Sequence, residues 1–159
     1  MGDRHPAAQS AGGVAVSRRS GRVSPDEAHE ELISVRSDAD IVVARQRGRE
    51  LAARLGFGLT DQTLIATAIS ELTRNIVLYA QRGRIVLKAL RKGGRRGIMV
   101  VARDDGPGIP NVEQALQSGF STSGGLGLGL PGVRRLTDEF DIASAVGRGT
   151  TVTVKKWNR

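Results

Sequence analysis

Glu71 and Asn75 lie four positions apart, about one helical turn, so on a helix they share a face. A carboxylate there can polarise a hydroxyl or a water, and an amide oxygen can ligate a hard cation such as Mg²⁺. The same spacing fits an ordinary amphipathic helix with polar residues at the border of its apolar stripe. A second group is Asp104-Asp105-Gly106-Pro107-Gly108-Ile109-Pro110, directly after an apolar stretch. An aspartate at a strand end can accept from an exocyclic amine such as that of adenine. Gly106 and Gly108 let backbone approach a flat ring closely. A tight turn of acidic, Gly and Pro residues accounts for the segment equally well. A third group runs from Ser121 to Gly132. Its glycines, Gly124, Gly125, Gly127 and Gly129, leave backbone N–H groups unobstructed around Leu126 and Leu128. It leads into a helix N-terminus, where free N–H groups and the helix dipole favour phosphate. The hydroxyls of Ser121, Thr122 and Ser123 can add phosphate contacts. Last, Gly147-Arg148-Gly149-Thr150 reads as a hairpin turn whose Thr150 hydroxyl can face a ligand.

Gly127–Gly132 also satisfies the dinucleotide pattern GxGxxG. That pattern needs a preceding strand inside a βαβ unit. Here a Ser/Thr/Gly loop precedes it, so the Rossmann reading is rejected. No GxxxxGK[ST] occurs, which excludes a P-loop.

The elements that must position these groups are legible from periodicity. Leu32, Ile33 and Val35 suggest a strand. Asp38 or Asp40 caps a helix to about Leu55, stopped by Gly56 and Gly58. Thr60 caps a second helix, from Asp61 to about Ala80. Its core face is Ile65, Ile69, Leu72 and Ile76 at helical spacing. Residues 84–90 and 98–102 read as a hairpin around the Gly/Arg turn of 92–96. Residues 111–117 form a short helix, and Pro131 suits the first turn of a helix to Thr137. Residues 140–145 and 150–157 close the chain as a second hairpin. The expected fold is α+β: a two-layer α/β sandwich with a mostly antiparallel mixed sheet and helices on one face.

The 159 residues make one domain of ordinary size, and residues 1–28, rich in Ala, Gly, Ser and Arg, read as a disordered tail before a domain of residues 29–159. Absence of Cys excludes disulfides, thiolate metal sites and Cys nucleophiles. The two histidines, His5 and His29, cannot build a His-based triad or metal site. No apolar run reaches membrane-spanning length and no signal peptide opens the chain, so the expected location is the cytoplasm. The formal net charge of +8 invites a nucleic acid, an acidic protein or a nucleotide as partner. Much of it sits on Arg4, Arg18, Arg19 and Arg22 and in residues 88–96, where plain solvated charge is an adequate account.

In this order the four groups resemble the boxes of the GHKL ATP-binding family, which includes gyrase-type ATPases, Hsp90, sensor histidine kinases and MutL. Residues 71–75 look like its N box, 104–108 its DxGxG box, 125–129 its lid box and 147–150 its final Gly-Thr box. The match spans roughly residues 30–157. Each box is weak alone; four in the right order are specific. Residues 70–75, 120–133 and 138–141 look closer to one branch, the anti-sigma-factor-type serine/threonine kinases and among them the stressosome switch kinases.

The resemblance implies ATP and Mg²⁺ as ligands. It implies that Glu71 orients or deprotonates the substrate hydroxyl and that Asn75 holds Mg²⁺. Asp104 would read adenine, with Gly106, Gly108 and Ile109 beside the ring. Ser121, Thr122, Ser123, Gly125, Leu126, Gly127, Leu128 and Gly129 would wrap the phosphates, with Thr150 facing the nucleotide. The implied substrate is a Ser or Thr of a STAS-domain antagonist, and the freed kinase would activate a PP2C-type phosphatase. Residues 1–23 fall outside the match. A sensor histidine kinase would need a phosphoacceptor His on a dimerisation helix pair, which neither His5 nor His29 offers. A non-enzymatic module that sequesters a sigma factor or a phosphatase is the alternative. Nucleic-acid binding is disfavoured because Phe57, Phe120 and Phe140 are spread apart and no recognised motif appears.

Overall fold

The computed structural model describes residues 29–117 and 128–159. The N-terminal tail and Ser121–Gly127 therefore lie outside the described residues.

The chain begins with β1 (Glu30–Val35) and α1 (Asp38–Arg54), followed by α2 (Leu59–Asn75) and a π-helical turn, Ile76–Ala80. β2 (Gly83–Lys92) and β3 (Arg95–Asp104) form a hairpin. Then come α3 (Val112–Ala115), α4 (Gly129–Leu136), β4 (Glu139–Ala145) and β5 (Gly149–Trp157). The five strands form one sheet in the order β1-β2-β3-β5-β4. Every pairing is antiparallel. The helices segregate as expected, because alternation gives the sheet one apolar face. Ile33, Ile85, Leu87, Val100, Ala102, Val152 and Val154 are all buried there. Ile65, Ile69, Leu72 and Ile76 of α2 and its extension are buried against them.

Helix starts depart from the sequence reading. α1 is capped by Ser37, not by Asp38 or Asp40. Asp40, three residues into the cap, accepts the backbone N–H groups of Arg36 (2.8 Å) and Ser37 (3.1 Å). α2 starts at Leu59 behind Gly58 rather than at Asp61 behind Thr60. Gln62 secures that start by donating its side-chain amide to the Phe57 carbonyl at 2.8 Å. The stop of α1 is as expected: Phe57 N–H reaches Ala52 O and Gly56 N–H reaches Ala53 O, both at 3.0 Å, the paired closure of a left-handed C-terminus.

The second helix does not run unbroken to Ala80. After Asn75 it widens into the π-helical turn, which ends at Gln81 with φ 68°. Such turns insert one residue into a helix and re-aim the side chains beyond it. Here Tyr79 lines the cavity described below.

Candidate active site

Between α2 with its π-helical turn, the inner face of β3 and β5, and the loop after β3 lies a cavity of about 450 Å³. Its walls are mostly apolar: Leu72, Ile76, Ala102, Ile109, Leu130 and Val152. Asn75, Asp104 and Thr150 bring polar groups to it. A few convergent polar groups on an apolar wall suit a flat heteroaromatic ligand with a polar edge.

Asp104 ends β3 opposite Thr150 of β5. Its carboxylate accepts the Gly106 N–H at 2.9 Å. Burial raises its pKa above the ordinary carboxylate value. Backbone hydrogen bonds from Gly106 and Thr150 oppose that rise, and the neighbouring Asp105 charge adds to it. Asp104 therefore takes up a proton more readily than an exposed aspartate does.

The loop after β3 is fastened to the β4–β5 hairpin. Gly147 N–H donates to Pro107 O at 2.8 Å. Ile109 N–H donates to the Ser144 hydroxyl at 2.8 Å. That hydroxyl lies 3.2 Å from Gly149 O, to which it donates, and 2.8 Å from the Thr150 hydroxyl. With the Ser144 hydrogen directed to Gly149, Thr150 supplies the hydrogen between the two hydroxyls. Gly108 has φ 76°, and a Cβ there would sit 2.2 Å from the Ala145 carbonyl oxygen. Gly149 has φ 95° and would place a Cβ 2.0 Å from Asp104 O. Only glycine fits either contact.

Gly106 serves a different neighbour. The space left by its missing side chain is filled by Ala80 of the π-helical turn, 2.6 Å from where a Cβ would be. It does not line the cavity, whereas Gly108 and Ile109 do. Gly129 and Leu130 line it from the start of α4. Leu128 is half exposed, and its side chain lies over Gly132. Asn75 faces the cavity. Glu71, one turn back, lies outside the lining and is 7% exposed. The Arg74 guanidinium donates to its Oε1 at 2.9 Å.

Sequence reasoning missed Tyr79, Gln114 and Ser144. Ser144 carried a usable signal: it follows Phe140 and Ile142 on the inward side of an alternating strand. Tyr79 and Gln114 carried none.

A nucleotide-sized cavity closed by a strand-end aspartate, beside a helix bearing an amide and a buried carboxylate, is the arrangement of an ATP-binding α+β sandwich. The family model described as "Histidine kinase-, DNA gyrase B-, and HSP90-like ATPase" matches residues 60–158, and the chain belongs to that family. Within it the chain falls in the protein serine/threonine kinase branch and is an ATP-dependent enzyme of that class. It is 50% identical over 130 residues to the serine/threonine-protein kinase RsbT of Bacillus subtilis, covering 82% of this chain and 98% of that one. It is also 31% identical over 112 residues to an anti-sigma F factor of Thermoanaerobacter sp., covering 67% of this chain and 77% of the relative. The crystal structure of the RsbU and RsbW domains of a Mycobacterium tuberculosis protein superposes with a TM-score of 0.51 at 24% identity, over 81% of this chain and 33% of that one. Its likeness is one of fold.

Proposed function

We propose that this chain transfers the γ-phosphate of ATP to a Ser or Thr of a STAS-domain antagonist. It would act in the cytoplasm, in a bacterial partner-switching pathway of stress or sigma-factor regulation. Freed of its antagonist, it would activate a PP2C-type phosphatase. The observation that carries the reading is the line from Asp104 through the apolar cavity to Asn75, with Glu71 one helical turn further.

In this reading ionised Asp104 accepts from the adenine amine, while Gly108 and Ile109 close over the ring. The Asn75 amide oxygen is a hard-cation ligand. Among the described residues no group of three His, Cys, Asp or Glu could hold a metal, so the remaining Mg²⁺ ligands would come from phosphate and water. Bound Mg-ATP supplies the phosphoryl group, with its charge partly neutralised by the metal. Ser121–Gly129 would wrap the phosphates, and Glu71 would accept the substrate hydroxyl proton. Phosphoryl transfer asks little covalent chemistry of the protein, so positioning and charge neutralisation carry the rate.

Labelled Mg-ATP incubated with a STAS-domain antagonist from the same genome tests the reading. Label on Ser or Thr of the antagonist is expected, and Asn75→Ala is expected to abolish it while keeping the wild-type unfolding transition. An Asn75→Ala chain that unfolds would mean that Asn75 is structural. A second reading, a nucleotide-gated module that sequesters a sigma factor or a phosphatase with little turnover, is favoured by the 31% identity to anti-sigma F factor. ATP binding with no label on any STAS partner would select it.

A further inference from the structure

Glu71 is buried to 7% exposure. A carboxylate out of water costs free energy unless it is paired. Among the described residues its carboxylate takes one side-chain hydrogen bond, from Arg74 Nη1 to Oε1 at 2.9 Å. Arg74 is three positions further along α2, which puts both side chains on neighbouring tracks of one helix face. The guanidinium is less enclosed: the side chain of Arg74 is 40% exposed against 9% for that of Glu71. Asn75, next in sequence, turns into the cavity. The two oxygens of Glu71 are thus unequal, because Oε1 is engaged by Arg74 and Oε2 takes no hydrogen bond from a described residue.

We propose that Arg74 is a positioning residue for phosphoryl transfer: it fixes Glu71 through Oε1 so that Oε2 receives the substrate proton. This rests on the proposed kinase reading and assigns Arg74 a place in it. In the step, the hydroxyl oxygen of the acceptor Ser or Thr bonds to the γ-phosphorus. The bond from that phosphorus to the β,γ-bridging oxygen breaks and ADP departs with the electron pair. The hydroxyl proton passes to Oε2 of Glu71 and then to water. Arg74 touches neither nucleotide nor acceptor. Without it the carboxylate can turn away from the hydroxyl, which lowers kcat and leaves ATP binding alone.

The test is a double-mutant cycle on the full chain with Mg-ATP and the STAS acceptor, reading kcat and the KM for ATP. Glu71→Gln is expected to lower kcat by a factor on the order of 10² or more. Arg74→Gln is expected to lower kcat by roughly tenfold with the KM for ATP within about twofold. Arg74→Lys, which keeps a cationic donor, is expected to recover part of that loss. Added to Glu71→Gln, the Arg74→Gln change is expected to alter kcat by less than about twofold, because its partner is already lost. A raised KM for ATP with kcat intact would make Arg74 a phosphate ligand and overturn the proposal. So would full losses that multiply in the double variant, or a lysine variant no better than the glutamine one. If Arg74→Gln alone keeps the wild-type rate, the assignment of Arg74 fails and that of Glu71 stands. If Glu71→Gln keeps the wild-type rate, the reading of Glu71 as base fails and takes Arg74 with it.

Discussion

The Asp104 carboxylate is held between two demands. Burial favours its neutral form, whereas the proposed acceptance from an adenine amine favours the ionised form, the stronger acceptor. Its raised pKa fixes the sign of two pH effects. In the unliganded fold a carboxyl with a raised pKa favours folding at low pH, and that contribution is lost as pH rises through the folded pKa. In the proposed reading nucleotide binding runs the other way, because the complex favours the ionised form. ATP affinity should therefore decline on acidification at a higher pH than an unshifted aspartate would give, and titration calorimetry from pH 7 downward would measure it. In Asp104→Asn the pH-dependent part should vanish along with most of the affinity, since an amide turned either way loses the charge-assisted bond. An affinity flat with pH in the wild-type chain would remove Asp104 from base recognition.

The loop after β3, the β4–β5 hairpin and the end of β3 act as one piece through Ser144, a small hydroxyl touching Ile109, Gly149 and Thr150. In Ser144→Ala the half-buried Ile109 N–H loses its acceptor, which should cost about 1 kcal/mol in denaturant unfolding. The same change should weaken ATP binding, because the ring-facing loop loses its fastening. Stability lost with affinity unchanged would show that the fastening is not transmitted to the site. Ser144 also marks how far the sequence could be read. Strands and helices were legible because their periods of two and 3.6 are written in Ile, Leu and Val. Asp104, Gly108 and Thr150, which line the cavity, stood out only through the order of the four groups, since each group alone fits an ordinary turn. A serine among inward-facing positions carries only the alternation of its strand as a signal, and its importance appears when three partners converge on it. The π-helical turn was illegible for a related reason, since Ile76, Val77 and Leu78 fit an α-helix as well as a π-turn. Ser37, Asp38 and Asp40 are all competent caps, and the choice among them depends on where β1 releases the chain. The fit of Gly106 against Ala80 depends on that same unread turn.

At the scale of the molecule, the charge of +8 gathers no nucleic-acid motif around it. Any retention on DNA should therefore be nonspecific and be lost between about 50 and 200 mM salt, and binding that survives in high salt would reopen a nucleic-acid role. Among the described residues no helix is long and apolar enough to cross a membrane. The strand order has a different bearing. β5, made after β4, is seated between β4 and β3 and carries Thr150, the register partner of Asp104. While the ribosome is still adding the residues after β4, β3 has no neighbour on that side and the cavity lacks Thr150 and Val152. The cavity is thus complete only once Gly149–Trp157 has paired with β3. A chain of this topology cannot assemble its pocket piecemeal, because the walls carrying Asp104 and Thr150 meet only when β5 closes the sheet.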